Sequence, residues 1–414
     1  MEQQKRYISV LDIGTSTVLA LIGEVQDDNE IHIVGLGQSP SRGLRAGMVT
    51  NIDATVQAIR QAVDDAERMA DTKITGVTTG IAGNHIRSLN SQGVVKIKDG
   101  EVTQADIDRA IETAKAINIP PDHKILHAVV QDYIIDTQAG VKEPIGMSGV
   151  RLDTRVHIVT GAGTAVQNIR KCIERCGLKV EEVMPQPLAS GQAVLTEDEK
   201  ELGVCVIDIG GGTTDIAVYT NGAIRHTSVI PVGGNSITKD LSQSLRTPYD
   251  SAEYIKTHYG IAFQDKEGAN EMIEVPCVGD QKSRQVSSEV LALIIGVRIE
   301  EILGVVSGEL EKSGFPKEVL TAGIVLTGGT AMMTGIAELA EKVFGLPVRI
   351  GSPQEVGGLS DRVRIPRYAT AVGLLHEARK SKGDLLQPQA GTVRESKESG
   401  GLWSRLKRWI ENNL

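Results

Sequence analysis

Val206-Ile207-Asp208-Ile209-Gly210-Gly211-Gly212-Thr213-Thr214-Asp215 is the stretch from which the rest of the chain can be read. An apolar run ending in an acid, then three glycines and two threonines, spells a buried strand, a tight turn and a return strand from Ile216. Glycines without a Cβ let backbone amides come close to a ligand. Successive amides in such a turn form an anion-binding concavity. Thr213 and Thr214 add hydroxyl donors, and Asp208 sets a carboxylate at the strand end. An acid beside a phosphate nest makes chemical sense if Mg²⁺ sits between them, held through water. The plain alternative is a hairpin with a flexible tip. Such a hairpin needs neither three glycines nor the Thr-Thr-Asp that follows.

The same order occurs earlier in the chain. Residues 7–13 form an apolar strand containing Asp12. Gly14-Thr15-Ser16-Thr17 turns the chain, residues 18–25 return, and 31–36 make a third strand. A helix follows with Ile52, Val56, Ile59 and Val63 on one face. In the later unit, strands are expected over 204–209, 216–219 and 223–230. Gly233-Gly234 then opens a helix over about 236–245. The parallel is expected to continue. A strand over 156–160 with Gly161-Ala162-Gly163 and a helix to Cys176 is set against a strand over 323–327 with Gly328-Gly329 and a helix to Phe344. The duplication implies a two-lobed α/β protein that offers two acid-tipped hairpins to one cleft. A dinucleotide fold would run its glycine turn into a helix, whereas these turns run into strands. No Gly-x-x-x-x-Gly-Lys-Ser/Thr is present, which excludes a P-loop.

A chain of 414 residues has room for two or more domains. Its net charge of −9 argues against bulk nucleic-acid binding. The polar start, Met1-Glu2-Gln3-Gln4-Lys5-Arg6, has no signal core, and no run reaches the ~18 apolar residues of a spanning helix. The four cysteines show neither metal-ligand spacing nor a disulfide framework, so a cytosolic protein with reduced thiols is expected.

Two insertions interrupt the lobes. Residues 83–155 have the content of a small α/β subdomain, with Thr103 as a helix N-cap. Residues 247–303 end in a helix over 287–303 whose apolar face is read as Val290, Leu293, Ile294, Val297 and Ile302. The basic residues Lys282, Arg284 and Arg298 there suit either a solvated face or a dock for an acidic peptide. From 381 to 400 no apolar period survives, which predicts a linker with a reach of roughly 25 Å. In 401–414, Leu402, Trp403, Leu406, Trp409, Ile410 and Leu414 share an arc of roughly 140° on a helix. Arg405 and Lys407 flank that arc, where long basic side chains can reach lipid phosphates. Docking on the protein itself or on a partner is the alternative.

Taken in order, these motifs resemble the actin-like ATPase superfamily. Asp12 to Thr17 and Asp208 to Asp215 look like its two phosphate motifs. Thr327-Gly328-Gly329-Thr330 with Met332-Met333 looks like its adenosine motif. Pro185-Gln186-Pro187-Leu188-Ala189-Ser190-Gly191 and Tyr368-Ala369-Thr370-Ala371-Val372-Gly373 look like its interdomain helices. With the insertion, the tethered tail, Ser41-Arg42-Gly43-Leu44-Arg45-Ala46-Gly47-Met48-Val49 and Ala82-Gly83-Asn84-His85-Ile86, the chain resembles the FtsA family of bacterial cell-division proteins over essentially its whole length.

The resemblance implies an actin-like fold of duplicated ribonuclease-H-like domains. The first lobe would hold 1–82, 156–195 and 359–380, with 83–155 inserted. The second would hold 196–246 and 304–358, with 247–303 docking the FtsZ C-terminal tail through Arg284 and Arg298. The linker 381–400 and the amphipathic membrane helix 401–414 would follow. ATP is expected against Gly14, Thr15, Ser16, Thr17, Gly210, Gly211, Gly212, Thr213, Thr214, Gly234, Gly328, Gly329, Thr330 and Met333. Mg²⁺ is expected at Asp12 and Asp208 through water, and Gln186 would position water for weak hydrolysis at most. Self-association into filaments, attachment to anionic lipid beneath the cytoplasmic membrane at the septum, and contacts with later division proteins are the remaining expectations. The alternatives are a sugar or small-acid kinase of the same superfold and a pilus-assembly actin-like scaffold. Neither has a use for a lipid-binding tail.

Overall fold

The computed structural model describes residues 6–263, 271–279 and 282–384. The chain separates into two compact units, Met1–Arg379 and Lys380–Leu414. The amphipathic stretch 401–414 and most of the expected linker lie outside the described residues.

In chain order, the first lobe opens with β1 (Arg6–Ile13), β2 (Thr17–Val25), β3 (Ile31–Pro40), α1 (Ile52–Ala70) and β4 (Gly76–Ile81). The insertion follows as β5 (Arg87–Lys96), α2 (Gln104–Lys115), β6 (His123–Ile135), β7 (Gln138–Val141) and β8 (Arg151–Ala162). The first lobe then resumes with α3 (Gly163–Glu174), β9 (Lys179–Pro185) and α4 (Gln186–Val194). The second lobe comprises β10 (Val204–Ile209), β11 (Thr214–Thr220), β12 (Ala223–Ile230), α5 (Gly234–Leu245), α6 (Tyr249–Tyr259), β13 (Met272–Val275) and β14 (Arg284–Ser287). It continues with α7 (Ser288–Lys312), β15 (Gly323–Thr327), α8 (Ile336–Phe344) and β16 (Val348–Ile350). A short strand β17 (Val356–Gly358) and α9 (Ala369–Asp384) return the chain to the first lobe.

Two sheets carry the duplication. Their orders are β9-β4-β1-β2-β3-β17 and β16-β15-β10-β11-β12. In each, an antiparallel hairpin (β1–β2, β10–β11) sits beside strands that run parallel to its first member. β10 is buried at all six positions, so it reads as a continuous apolar run rather than an alternation. The register sets Asp12 opposite Leu19 and Asp208 opposite Asp215, so both acids fall at hairpin mouths.

One half of the expected parallel needs correction. The counterpart of β15 is β4, not the strand expected over 156–160. That strand is part of β8, which pairs antiparallel with β5 and β6 inside a separate four-stranded sheet, β5-β8-β6-β7. Because β8 feeds α3 directly, it occupies in sequence the place that β4 occupies in space. The inserted sheet therefore continues to Ala162. As the sequence implied, Thr103 caps α2, and Asp106 completes a reciprocal capping box.

Where α4 and α9 cross, small residues set the spacing. A Cβ on Gly373 would overlap the Ala189 carbonyl oxygen. Gly373→Ala should force the helices apart and destabilise the protein by ~1–3 kcal/mol, the usual cost of overpacking. Urea unfolding would read this as a lower midpoint; an unchanged midpoint would show that the crossing has room.

Candidate functional site: the interlobe cleft

The two hairpin tips meet. A Cβ on Gly211 would run into the Ser16 hydroxyl, and one on Gly212 would lie 2.6 Å from Thr15 Oγ1. Ser16 Oγ donates to Asn235 Oδ1 at 3.0 Å, and Thr15 Oγ1 accepts from the Gly47 amide at 3.0 Å. The third glycine turn leans on the second. Gly328 has φ +88°, and a side chain there would strike Asp208 Oδ1. Around these turns lies a cleft of about 450 Å³.

At its floor are three buried carboxyl groups. Asp208 Oδ2 accepts from Ser190 Oγ at 2.5 Å and Thr370 Oγ1 at 3.0 Å, so the two crossing helices aim this acid. Asp12 Oδ1 accepts from Gln186 Nε2 at 2.9 Å. Asp215 Oδ1 is buried without a hydrogen-bond partner. Burial, then the neighbouring Asp208 charge, pushes Asp12 up to about 7. Burial also raises Asp208, although its two hydroxyl donors oppose the shift. Asp215 is raised well above the ordinary carboxylate range by burial and then by the charges of Asp208 and Asp12.

A cluster of desolvated, mutually repelling acids with one orphaned oxygen fits a cation. Among the described residues, no group of three or more such side chains is arranged to hold a metal ion directly.

A pH dependence follows from Asp12. Its folded-state value is raised from 3.8 to about 7, so between those limits the folded chain holds a proton that the unfolded chain has lost. This stabilises the cation-free protein fully below about 3.8 and is lost as pH rises through about 7. Asp12→Asn should raise the cation-free melting temperature at pH 8 by about 3 °C or more and flatten its slope between pH 4 and 7. Parallel slopes for variant and wild type in calorimetry would contradict this.

Nearly all the expected nucleotide contacts line the cleft: Gly14, Thr15, Ser16, Thr17, Gly210, Gly211, Gly212, Thr213, Gly328, Gly329, Thr330 and Met333, with Asp12, Asp208 and Gln186. Thr214 is not among them. It is fully buried and donates to the Val232 carbonyl at 2.8 Å, because alternation in β11 turns it away. Gly234 stands behind the wall, its amide donating to Gly210 O and its carbonyl accepting from Lys256 Nζ at 3.2 Å.

Sequence reasoning missed Asp215 as a floor residue, and it missed Lys256, Glu253 and Arg367 on the walls. Lys256 Nζ is buried and also bonds Thr238 Oγ1 at 2.8 Å and Glu253 Oε2 at 2.7 Å. From sequence, Glu253 and Lys256 look like an ordinary solvent ion pair one helical turn apart.

The long helix of the second insertion presents a different face from the one expected. α7 buries Leu291, Ile295, Ile299, Ile302, Leu303, Val306 and Leu310. Val290, Leu293 and Val297 are 42%, 68% and 60% exposed. Over 290–297 the helix is apolar on every side, so periodicity within that stretch could not choose its inner face. Arg298 gives Nε to Asp240 at 2.5 Å and Nη1 to Glu301 at 2.7 Å. Arg284 is exposed and donates to the Leu245 carbonyl.

Comparison with known proteins bears on this geometry. A family model described as "Cell division protein FtsA" matches residues 205–373, and one described as "SHS2 domain inserted in FTSA" matches 83–160. The chain is 81% identical to the cell division protein FtsA of Neisseria meningitidis serogroup B, covering 100% of both chains. It is 51% identical to the Pseudomonas aeruginosa protein of that name over 100% of this chain and 99% of the other. Identity to the Escherichia coli K12 protein is 44%, over 99% of each. Among solved structures, a chain of a PilM–PilN type IV pilus biogenesis complex aligns with TM-score 0.63 at 17% identity, covering 90% of this chain and 98% of that one. MreB 5 of Spiroplasma citri bound to AMPPNP aligns with TM-score 0.58 at 17% identity, covering 92% and 99%. These two likenesses establish the actin-like fold.

Proposed function

Because the chain belongs to the FtsA family of cell-division proteins, we propose that it binds ATP with Mg²⁺ in the interlobe cleft and self-associates into filaments beneath the cytoplasmic membrane, where it anchors FtsZ at the septum. The observation that carries this reading is the meeting of two acid-tipped glycine hairpins from duplicated lobes around one cavity. The amides and hydroxyls of Gly14 to Thr17 and Gly210 to Thr213 suit the phosphates. Gly328, Gly329, Thr330 and Met333, with Lys256, suit the nucleoside end. Asp12, Asp208 and Asp215 suit a hydrated Mg²⁺, which would neutralise them and the phosphates together. Gln186, whose amide donates to Asp12, is assigned to orienting a water, and weak ATP hydrolysis at most is the activity that goes with it.

Two surfaces carry the rest. Val290, Leu293 and Val297 form an exposed apolar stripe at helical spacing on α7, the kind of face on which an amphipathic peptide lies. On the strand that leads into α7, Arg284 is the more available cation for an acidic FtsZ tail, since Arg298 already serves Asp240 and Glu301. Attachment to anionic lipid is assigned to the amphipathic sequence 401–414. Among the described residues, no helix is long and apolar enough to cross a bilayer. Later division proteins are assigned to the insertion 83–155.

Imaging on anionic lipid monolayers tests the whole reading. With ATP and Mg²⁺ the protein should form ordered assemblies that capture an FtsZ tail peptide. Arg284→Glu should weaken that capture about tenfold, the effect of losing one charge-assisted contact. Lipid-indifferent monomers that phosphorylate a sugar would favour the kinase alternative instead.

A further inference from the structure

The insertion is joined by peptide bonds to the first lobe alone, between β4 and α3. Its hydrogen bonds, however, reach the second lobe. β12 is the outermost strand of the second-lobe sheet, so its far edge carries unpaired backbone groups. Side chains of the insertion cover that edge. Ser88 Oγ donates to the Thr227 carbonyl at 2.7 Å and accepts from the Thr227 amide at 3.3 Å. Asn90 Nδ2 donates to the Arg225 carbonyl at 2.9 Å. Gln131 Nε2 donates to the Ile224 carbonyl at 2.6 Å and to Asn90 Oδ1 at 2.9 Å. Further along, Lys142 Nζ donates to the Asn221 carbonyl at 3.0 Å.

His157 locks the group. One ring nitrogen, Nδ1, lies 2.8 Å from Asn90 Oδ1, and the other, Nε2, lies 3.0 Å from Thr227 Oγ1. Asn90 Oδ1 can only accept, so Nδ1 carries the proton and Nε2 takes one from Thr227. The imidazole is fully buried, and burial holds it down at about 3, so it stays neutral and keeps this tautomer at physiological pH. β5 and β12 nevertheless do not pair as strands and remain in separate sheets. A backbone ladder would fuse the two sheets. In its place stand a handful of side-chain bonds over one apolar cluster that holds Ile86 and Val159 together with Ile224 and Val229.

We infer that the inserted subdomain is a strut between the lobes, fixed covalently to the first and latched to the edge of β12 in the second, so that closure of the cleft and seating of the insertion are one equilibrium. In this structure the latch is made and the hairpin tips touch, so the latched arrangement is the closed one. Breaking the latch removes support from the closed state. A ligand that needs that state then binds more weakly, in proportion to the fall in its population. The nucleotide arm of this inference rests on the ATP reading above; the exchange arm does not.

Asn90→Asp tests it, because it replaces the donor to Arg225 with a charge facing a carbonyl. Lys142→Ala, on an exposed side chain, serves as a second variant that leaves the buried His157 group intact. Amide exchange over 87–96 and 223–230 and ATP affinity would be measured in the full chain, with and without Mg·ATP. Expected for Asn90→Asp are faster exchange over 223–230, loss of the protection that Mg·ATP confers there on the wild type, and a Kd for ATP raised about five- to tenfold. Lys142→Ala should shift each readout the same way by less. Faster exchange in Asn90→Asp with ATP affinity and nucleotide protection unchanged would overturn the coupling. Unchanged exchange in both variants would overturn the latch itself. A wild type that binds no ATP would reject the nucleotide reading, while the nucleotide-free exchange comparison would still decide the latch.

Discussion

Gly211→Glu should abolish ATP binding while leaving the protein folded. Gly211 sits where the second-lobe hairpin passes closest to the first, and even a Cβ there meets the Ser16 hydroxyl. A glutamate adds bulk where the phosphates are assigned and a fourth acid beside Asp12, Asp208 and Asp215. All three are already raised by burial, and Asp12 and Asp215 further by neighbouring acids. Both effects act against a polyanion. An affinity loss on the order of 100-fold or more corresponds to only ~2.7 kcal/mol, a modest demand for steric exclusion plus like charge. The fold should survive because the residue lies at a turn, outside the buried ladders of β10 and β11. Titration calorimetry with ATP and Mg²⁺ would measure the loss, and a thermal melt would confirm folding. Wild-type affinity in this variant would place the phosphates elsewhere.

Deletion of residues 402–414 should move the protein from anionic vesicles to the supernatant almost completely. Full burial of a large apolar side chain contributes ~1.5–3 kcal/mol, and at an interface burial is partial. Six such residues, less the entropy of ordering a helix, leave a reversible anchor for one chain. Linked copies in a filament would hold far more firmly through effective concentration. The deletion should therefore cost most under conditions of assembly, with ATP present. Co-sedimentation of the shortened chain at wild-type levels would assign lipid binding to another surface.

How far the chain could be read in advance differed by feature. The hairpins were legible because glycine, acid and hydroxyl residues have few other reasons to stand in that order. The cleft followed because the order occurs twice. Thr214 shows the limit of motif reading: it lies inside the phosphate stretch, yet strand alternation turns its hydroxyl toward Val232. Lys256 shows the opposite case, a wall residue outside any motif, brought in by the packing of α6 against α5. β4 and β8 were confused because an insertion separates a strand from its own helix and supplies a substitute next to it. For α7, the uncharged stretch 290–297 is apolar on every side and gives periodicity nothing to distinguish.

The covered edge of β12 has a further consequence for assembly. Sheet proteins can grow by adding a neighbour's strand to an open margin, and such unions are hard to undo. Here that margin is spoken for within each molecule, by donors from its own insertion. Any joining of copies of this chain therefore falls to faces other than this margin.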